Sequence, residues 1–179
     1  MKKKEIQEQI NLRLSNGDSK SSTFQQLSGQ GVSDRVVAHM IASYASRELC
    51  NQHSKLIDAM IVISWLQLAF AVLVSIAIGL KAGLLAVTLI TAFLGAFAYL
   101  FVWGFTNNKA WAYNATIFLT IINLPKSLTD FSASPISSAI GLTVSVGLVA
   151  FTWYVRSKIF PDFAFIAPKK VKGAYTFSS

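Results

Sequence analysis

Cys50 and His53 stand three residues apart, a spacing that brings a thiolate and an imidazole to one face of a helix, where they could share a metal ion. A structural zinc site asks for four ligands, and His39 is too far along a continuous helix to join them. The pair therefore reads as exposed side chains near a membrane surface, and no metal is expected. Gly29-Gln30-Gly31 lacks the third glycine of a dinucleotide fingerprint and follows no apolar strand, so it reads as a turn between helices. There is no G-x-x-x-x-G-K-[ST], H-E-x-x-H, C-x-x-C or G-x-S-x-G. No catalytic residue and no cofactor is expected, and the chain does not read as an enzyme.

The remaining polar chemistry lies inside apolar runs. From Ala59 to Phe160 the ionisable side chains are Lys81, Lys109, Lys126, Asp130, Arg156 and Lys158, apart from tyrosines, and they punctuate the apolar stretches. Proton-coupled carriers place Asp, Glu, His, Lys or Arg deep in the membrane. Here Asp58 and Asp130 sit only at the edges, which argues against a self-sufficient proton-coupled transporter. Gln67, Asn114 and Asn123 are the interior amides. Such groups commonly bond across helices at about 1 kcal/mol each, and lining a ligand path is the alternative. Asn114-Ala115-Thr116 matches a glycosylation sequon, but it falls within a membrane helix and reads as packing.

Composition says which elements carry these residues. The chain is 53% hydrophobic and 13% charged, against about a quarter charged in soluble domains, which points to an integral membrane protein. Four transmembrane helices are expected, at about 59–80, 83–105, 110–128 and 136–155. The third is the weakest, because Asn114, Asn123 and Pro125 interrupt it. Charge placement favours four: the N-terminal region carries Lys2, Lys3, Lys4, Arg13, Lys20, Arg35, Arg47 and Lys55, and the tail carries Arg156, Lys158, Lys169, Lys170 and Lys172. Both ends then belong on the cytoplasmic side, with only Lys81 and Lys126 facing outward. Trp65, Trp103, Trp111 and Trp153 all fall toward that side and read as interface anchors. Lys2-Lys3-Lys4 is followed by Glu5 and Gln7, not by an apolar core, so targeting is expected to fall to the first membrane helix.

Residues 1–57 read as a small cytosolic helical module. Ile6, Ile10 and Leu14 give one amphipathic helix ending at Asn16-Gly17; Ser21-Ser22-Thr23 caps a second with Phe24 and Leu27; Ser33 or Asp34 caps a third that runs through Val36, Met40 and Tyr44 to Leu49. A module this small needs support from elsewhere, and Phe24, Leu27 and Tyr44 form its candidate partner face. Residues 58–160 form the membrane domain, and 161–179 a basic aromatic cytosolic tail at anionic headgroups.

The fold class is therefore all-α: a four-helix transmembrane bundle preceded by a cytosolic helical module, in a bacterial inner membrane with both termini inside. Stripes of small residues, Ala71-Ser75-Gly79, Ala92-Ala96, Thr91-Gly95 and Ser137-Gly141-Ser145, allow close helix approach, within the bundle or to another chain. The expected function is a non-enzymatic accessory or scaffold subunit of a membrane complex, with a membrane-protein partner or a second copy. The alternative is a small transport or lipid-handling component. The net charge of +8 reads as membrane topology and lipid contact rather than nucleic-acid binding.

Overall fold

The structure, a computed structural model, describes residues 2–80, 83–129 and 135–178, with the side chains of 126–129 outside that description. The expected turn at Lys81-Ala82, most of the Thr129–Pro135 connection and the side chain of Lys126 lie outside the described residues. The chain is mostly helical and divides into two compact units, Met1–Leu49 with Arg156–Ser179, and Cys50–Val155.

The first unit begins with α1 (Lys3–Ser15), α2 (Lys20–Leu27) and α3 (Asp34–Ala42). Ile6 and Ile10 of α1, Leu27 of α2 and Val37, Met40 and Ile41 of α3 form one buried cluster, with Leu14, Phe24, Val36 and Phe177 packed against it. Gly17 stops α1 with φ +93°, donating to the Leu14 carbonyl while Asp18 N–H reaches that of Arg13. That is a Schellman cap, which glycine adopts without steric cost. The cap of α2 is Ser19, whose hydroxyl oxygen accepts from Ser22 N–H at 3.2 Å, upstream of the serines that the sequence suggested. The third helix is shorter than its apolar spacing implied. Ser43 is its C-cap residue, with both the backbone N–H and the hydroxyl donating to the His39 carbonyl, at 3.0 and 2.6 Å. A separate short helix, α4 (Arg47–Gln52), follows.

The tail completes this unit. β1 (Lys170–Val171) and β2 (Ala174–Tyr175) pair antiparallel around Lys172-Gly173, whose φ values of +49° and +85° are both positive. Two such residues match the twist of a two-residue hairpin turn. Lys170 Nζ lies 4.4 Å from the centre of the Tyr175 ring, its cross-strand partner. Asp162 ties the tail down. Its carboxylate takes Lys20 Nζ at 2.6 Å on one oxygen and the N–H and hydroxyl of Ser178 on the other, while its carbonyl accepts from Lys169 N–H at 2.8 Å.

The second unit is built from α5 (Ser54–Gly79), α6 (Leu84–Thr106), α7 (Ala110–Thr129) and α8 (Pro135–Ile159), whose last turn enters the first unit. α5, α6 and α8 are each long and apolar enough to cross a membrane. α7 has 20 residues, about 30 Å of helix, with Pro125 inside it. α5 and α6 run antiparallel in close register. Ser75 Oγ donates to Thr91 Oγ1 at 3.0 Å, and a Cβ on Gly79 would stand 2.5 Å from the Val87 Cα. The α5 stripe thus packs against α6. α6 turns into α7 through Asn108 at φ +49°, with Lys109 N–H on the Gly104 carbonyl at 2.8 Å. Phe105 meets Tyr113 edge-on at 4.9 Å, and Gly104 faces Ala112. Thr152 of α8 reaches Met60 of α5, oxygen to sulfur 3.8 Å.

Two predictions follow from these contacts. Gly79→Ala forces the Val87 backbone away and lowers detergent thermal stability by about 1–3 kcal/mol. Gly141→Ala, with nothing within 4 Å of the new carbon, raises stability by up to about 1 kcal/mol through helix propensity. Opposite signs in thermal unfolding are the expected result. Asp162→Ala leaves Lys20 buried without its partner, a loss of about 3–5 kcal/mol, read as rapid proteolysis of residues 160–178 and lost amide protection in α1–α3.

Candidate functional site

The residues singled out in the sequence fall in three places. On the first unit, Leu27 is 3% exposed and belongs to the core. Phe24 lies half-buried under the tail, its ring 5.4 Å from Tyr175 and 5.5 Å from Phe177. Tyr44, half-buried, follows the end of α3, its N–H on the Ile41 carbonyl. The chain's own tail therefore packs against Phe24.

A second feature of this unit was not singled out in the sequence. Lys3, Arg35, Val36, His39, Met40, Ile166, Ala167 and Pro168 line a pocket of about 410 Å³. Arg35 and His39 are four apart on α3 and so share a face. Lys3 comes from the first turn of α1, and the last three residues form one tail wall. The His39 ring stands edge-on to buried Phe163, centres 5.3 Å apart, with Ser43 Oγ 3.4 Å from its Nδ1. Burial lowers the His39 pKa below the usual imidazole value, and the nearby Lys3 and Arg35 charges lower it further.

The third place is among the long helices. An open groove of about 530 Å³ runs between α5 and α8, lined by Ile63, Leu66, Gln67, Phe70, Val144, Gly147, Leu148 and Phe151. Gln67 is its one amide. Asn123 instead donates to the Leu119 carbonyl of its own helix at 2.7 Å, and Asn114 is half-buried on α7. Among the described residues, neither asparagine lines this groove. On α8, Gly141 lies one turn before Val144 on the same helical face, with nothing within 4 Å of a Cβ.

All four tryptophans are exposed on the long helices: Trp65 on α5, Trp103 at the end of α6, Trp111 at the start of α7 and Trp153 near the end of α8. Cys50 is half-buried, and burial raises its thiol pKa. His53 caps the start of α5. Among the described residues, no three His, Cys, Asp or Glu side chains gather as a metal site.

His39 generates a pH prediction. A base whose folded pKa is depressed contributes stability that is complete above its unfolded value, about 6.5, and is lost as pH falls through the folded value. Amide protection of residues 6–41 should therefore fall on acidification from pH 7 toward 5, and fall less in His39→Gln. Equal losses in the two proteins would remove His39 from the account. Comparison of the chain with family models, with curated proteins and with solved structures finds no match.

Proposed function

We propose that this protein is a small multi-pass inner-membrane subunit, non-enzymatic, that binds a larger membrane complex through the side of its long helices. The observation that carries this reading is the open groove between α5 and α8, with Leu66, Phe70, Val144, Leu148 and Phe151 along it and uncovered Gly141 on the adjoining α8 face. In lipid no hydrophobic effect draws helices together. Association there depends on shape and on buried hydrogen bonds, and a furrow with one amide and a small-residue shoulder supplies both. Gln67 would bond to the incoming helix at about 1 kcal/mol. The transport alternative needs Gln67, Asn114 and Asn123 around one path; of the three, Gln67 alone is among the described residues that line this groove.

The topology proposed with it is four crossings with both termini in the cytoplasm. Three observations support it. The Thr152–Met60 contact puts the end of α8 beside the beginning of α5. The Gly79–Val87 and Ser75–Thr91 contacts make α6 the return of α5. A third element must then carry the chain back across before α8 can return, and α7, about 30 Å long, is the one available. Residues from both ends of the sequence also share one compact unit, which asks for an even number of crossings. The basic ends and the positive-inside rule give the sign.

Purification from native membranes in mild detergent, with a C-terminal tag, tests the function. A stoichiometric membrane-protein partner should accompany the wild type and be lost from Gly141→Leu, which fills the shoulder at a position where a Cβ meets nothing within 4 Å among the described residues. A partner that persists in Gly141→Leu, or a chain recovered alone with a bound small molecule, would sink the reading. In a Cys50→Ser background, an impermeant maleimide should label Ser21→Cys and Asn107→Cys from the cytoplasmic side, and Lys81→Cys from the opposite side.

A further inference from the structure

We propose that the pocket between the first turn of α1, the Arg35–Met40 face of α3 and tail residues 166–168 is a binding site for a phosphate-bearing anion. The inference is independent of the accessory reading, since every residue that lines the pocket lies in the terminal unit. That unit carries twelve Lys and Arg against six Asp and Glu, so most of the chain's +8 resides there. Within it, Lys3 and Arg35 make no ion pair among the described residues. The carboxylates nearest to them in sequence are turned elsewhere. Glu5 accepts from Lys2 N–H at 2.9 Å, and Asp34 accepts from Gly29 N–H at 3.2 Å.

The donor set matches the chemistry of phosphate. An arginine offers a planar fork for two oxygens, a lysine offers a mobile point charge, and an imidazole offers a further N–H. Burial first, and then the charges of Lys3 and Arg35, disfavour protonation of His39. An anion placed among the three would relieve that repulsion.

Shape separates this site from a merely basic surface. Its three walls come from segments far apart in sequence, and the tail wall is held by its own bonds. Ala164 N–H donates to the Ala167 carbonyl at 3.0 Å, and Lys169 N–H to Asp162. A pre-built wall reduces the ordering cost of binding. The volume of about 410 Å³ exceeds what one phosphate fills, a water occupying about 30 Å³ of liquid. Val36, Met40, Ile166 and Pro168 supply apolar surface for whatever carbon skeleton the phosphate carries. Both a phospholipid headgroup with its glycerol and a soluble phosphate ester present that combination.

The test uses the full chain in a neutral detergent, titrated with dihexanoyl phosphatidic acid and, separately, with inorganic phosphate. Native mass spectrometry reads stoichiometry, and the His39 imidazole resonances read occupancy. One equivalent of lipid should bind saturably and raise the His39 pKa. Arg35→Gln should weaken binding by about tenfold or more, the loss expected for a charge-assisted contact. Lys4→Gln/Lys172→Gln removes more charge outside the pocket and should change affinity by less than about twofold if the pocket, not bulk charge, is responsible. Arg35→Lys keeps the charge but not the fork, and provides an intermediate value if Arg35→Gln loses the amide protection of α1–α3. Displacement of the lipid by inorganic phosphate would assign the site to a free phosphate group, and saturable binding of lipid alone would assign it to a headgroup. Absence of saturable binding by either probe, or an equal loss in the Lys4/Lys172 variant, would overturn the proposal.

Discussion

The terminal unit depends on one buried ion pair between residues 142 positions apart. Lys20 and Asp162 meet at 2.6 Å with side-chain exposures of 10% and 2%. Removing two charges from water costs several kcal/mol each, so such a pair contributes little net stability beyond an apolar substitute. Its effect is on which arrangement forms. An alternative docking of the tail would leave one of these charges buried alone, and Asp162 also takes Ser178 and, through its carbonyl, Lys169. One residue therefore fixes the hairpin base, the end of the tail and the start of α2 together. The apolar part of the assembly, with Phe177 and Tyr175 over Phe24, then packs on a frame whose register is already set.

The long helices meet a different constraint. Their surfaces are as apolar as lipid, so burial does not distinguish a helix neighbour from an acyl chain. What brings α5 and α6 together is the removal of side-chain bulk at Gly79 and the hydroxyl pair Ser75–Thr91. α6 and α7 repeat the device at Gly104 and Ala112, beside the Phe105–Tyr113 ring contact. On α8, a Cβ on Gly141 or Gly147 would meet nothing within 4 Å among the described residues. The same residue type thus has two environments, and the unsatisfied one lies on the helix that borders the groove.

Local physics made much of this legible in the sequence. The period of Ile6, Ile10 and Leu14 gives the buried face of α1, and Asn16-Gly17 gives its end, because both depend on neighbours within a few residues. The three long apolar helices follow from composition and length in the same way. The break after Ala42 is not legible from apolar spacing, since Val36 to Leu49 keeps a helical rhythm across it. The Lys172-Gly173 hairpin carried a weak signal, a glycine between short apolar positions, and the aromatic and basic residues around it suggested headgroup contact instead. Least legible of all were Lys20–Asp162 and the pocket of Lys3, Arg35 and His39. Each unites segments from opposite ends of the chain, and neither partner's local sequence differs from that of an ordinary solvated charge.

Those non-local features share a cause. Closing a loop of more than a hundred residues carries an entropic cost that grows with the logarithm of its length. Here the intervening chain is mostly helix, not flexible loop, and Thr152 of α8 lies against Met60 of α5 within the second unit. Helix packing of that kind shares the closure cost with Lys20–Asp162. A tail of two-residue strands and three short helices, too small to fold from separate chains, can then form one unit. The basic pocket is non-local within the terminal unit alone, its α1 and α3 walls and its tail wall lying at opposite ends of the chain. Its α3 face exists locally, but its tail wall is held in place through Asp162, which bonds both Lys20 of α2 and the N–H of Lys169.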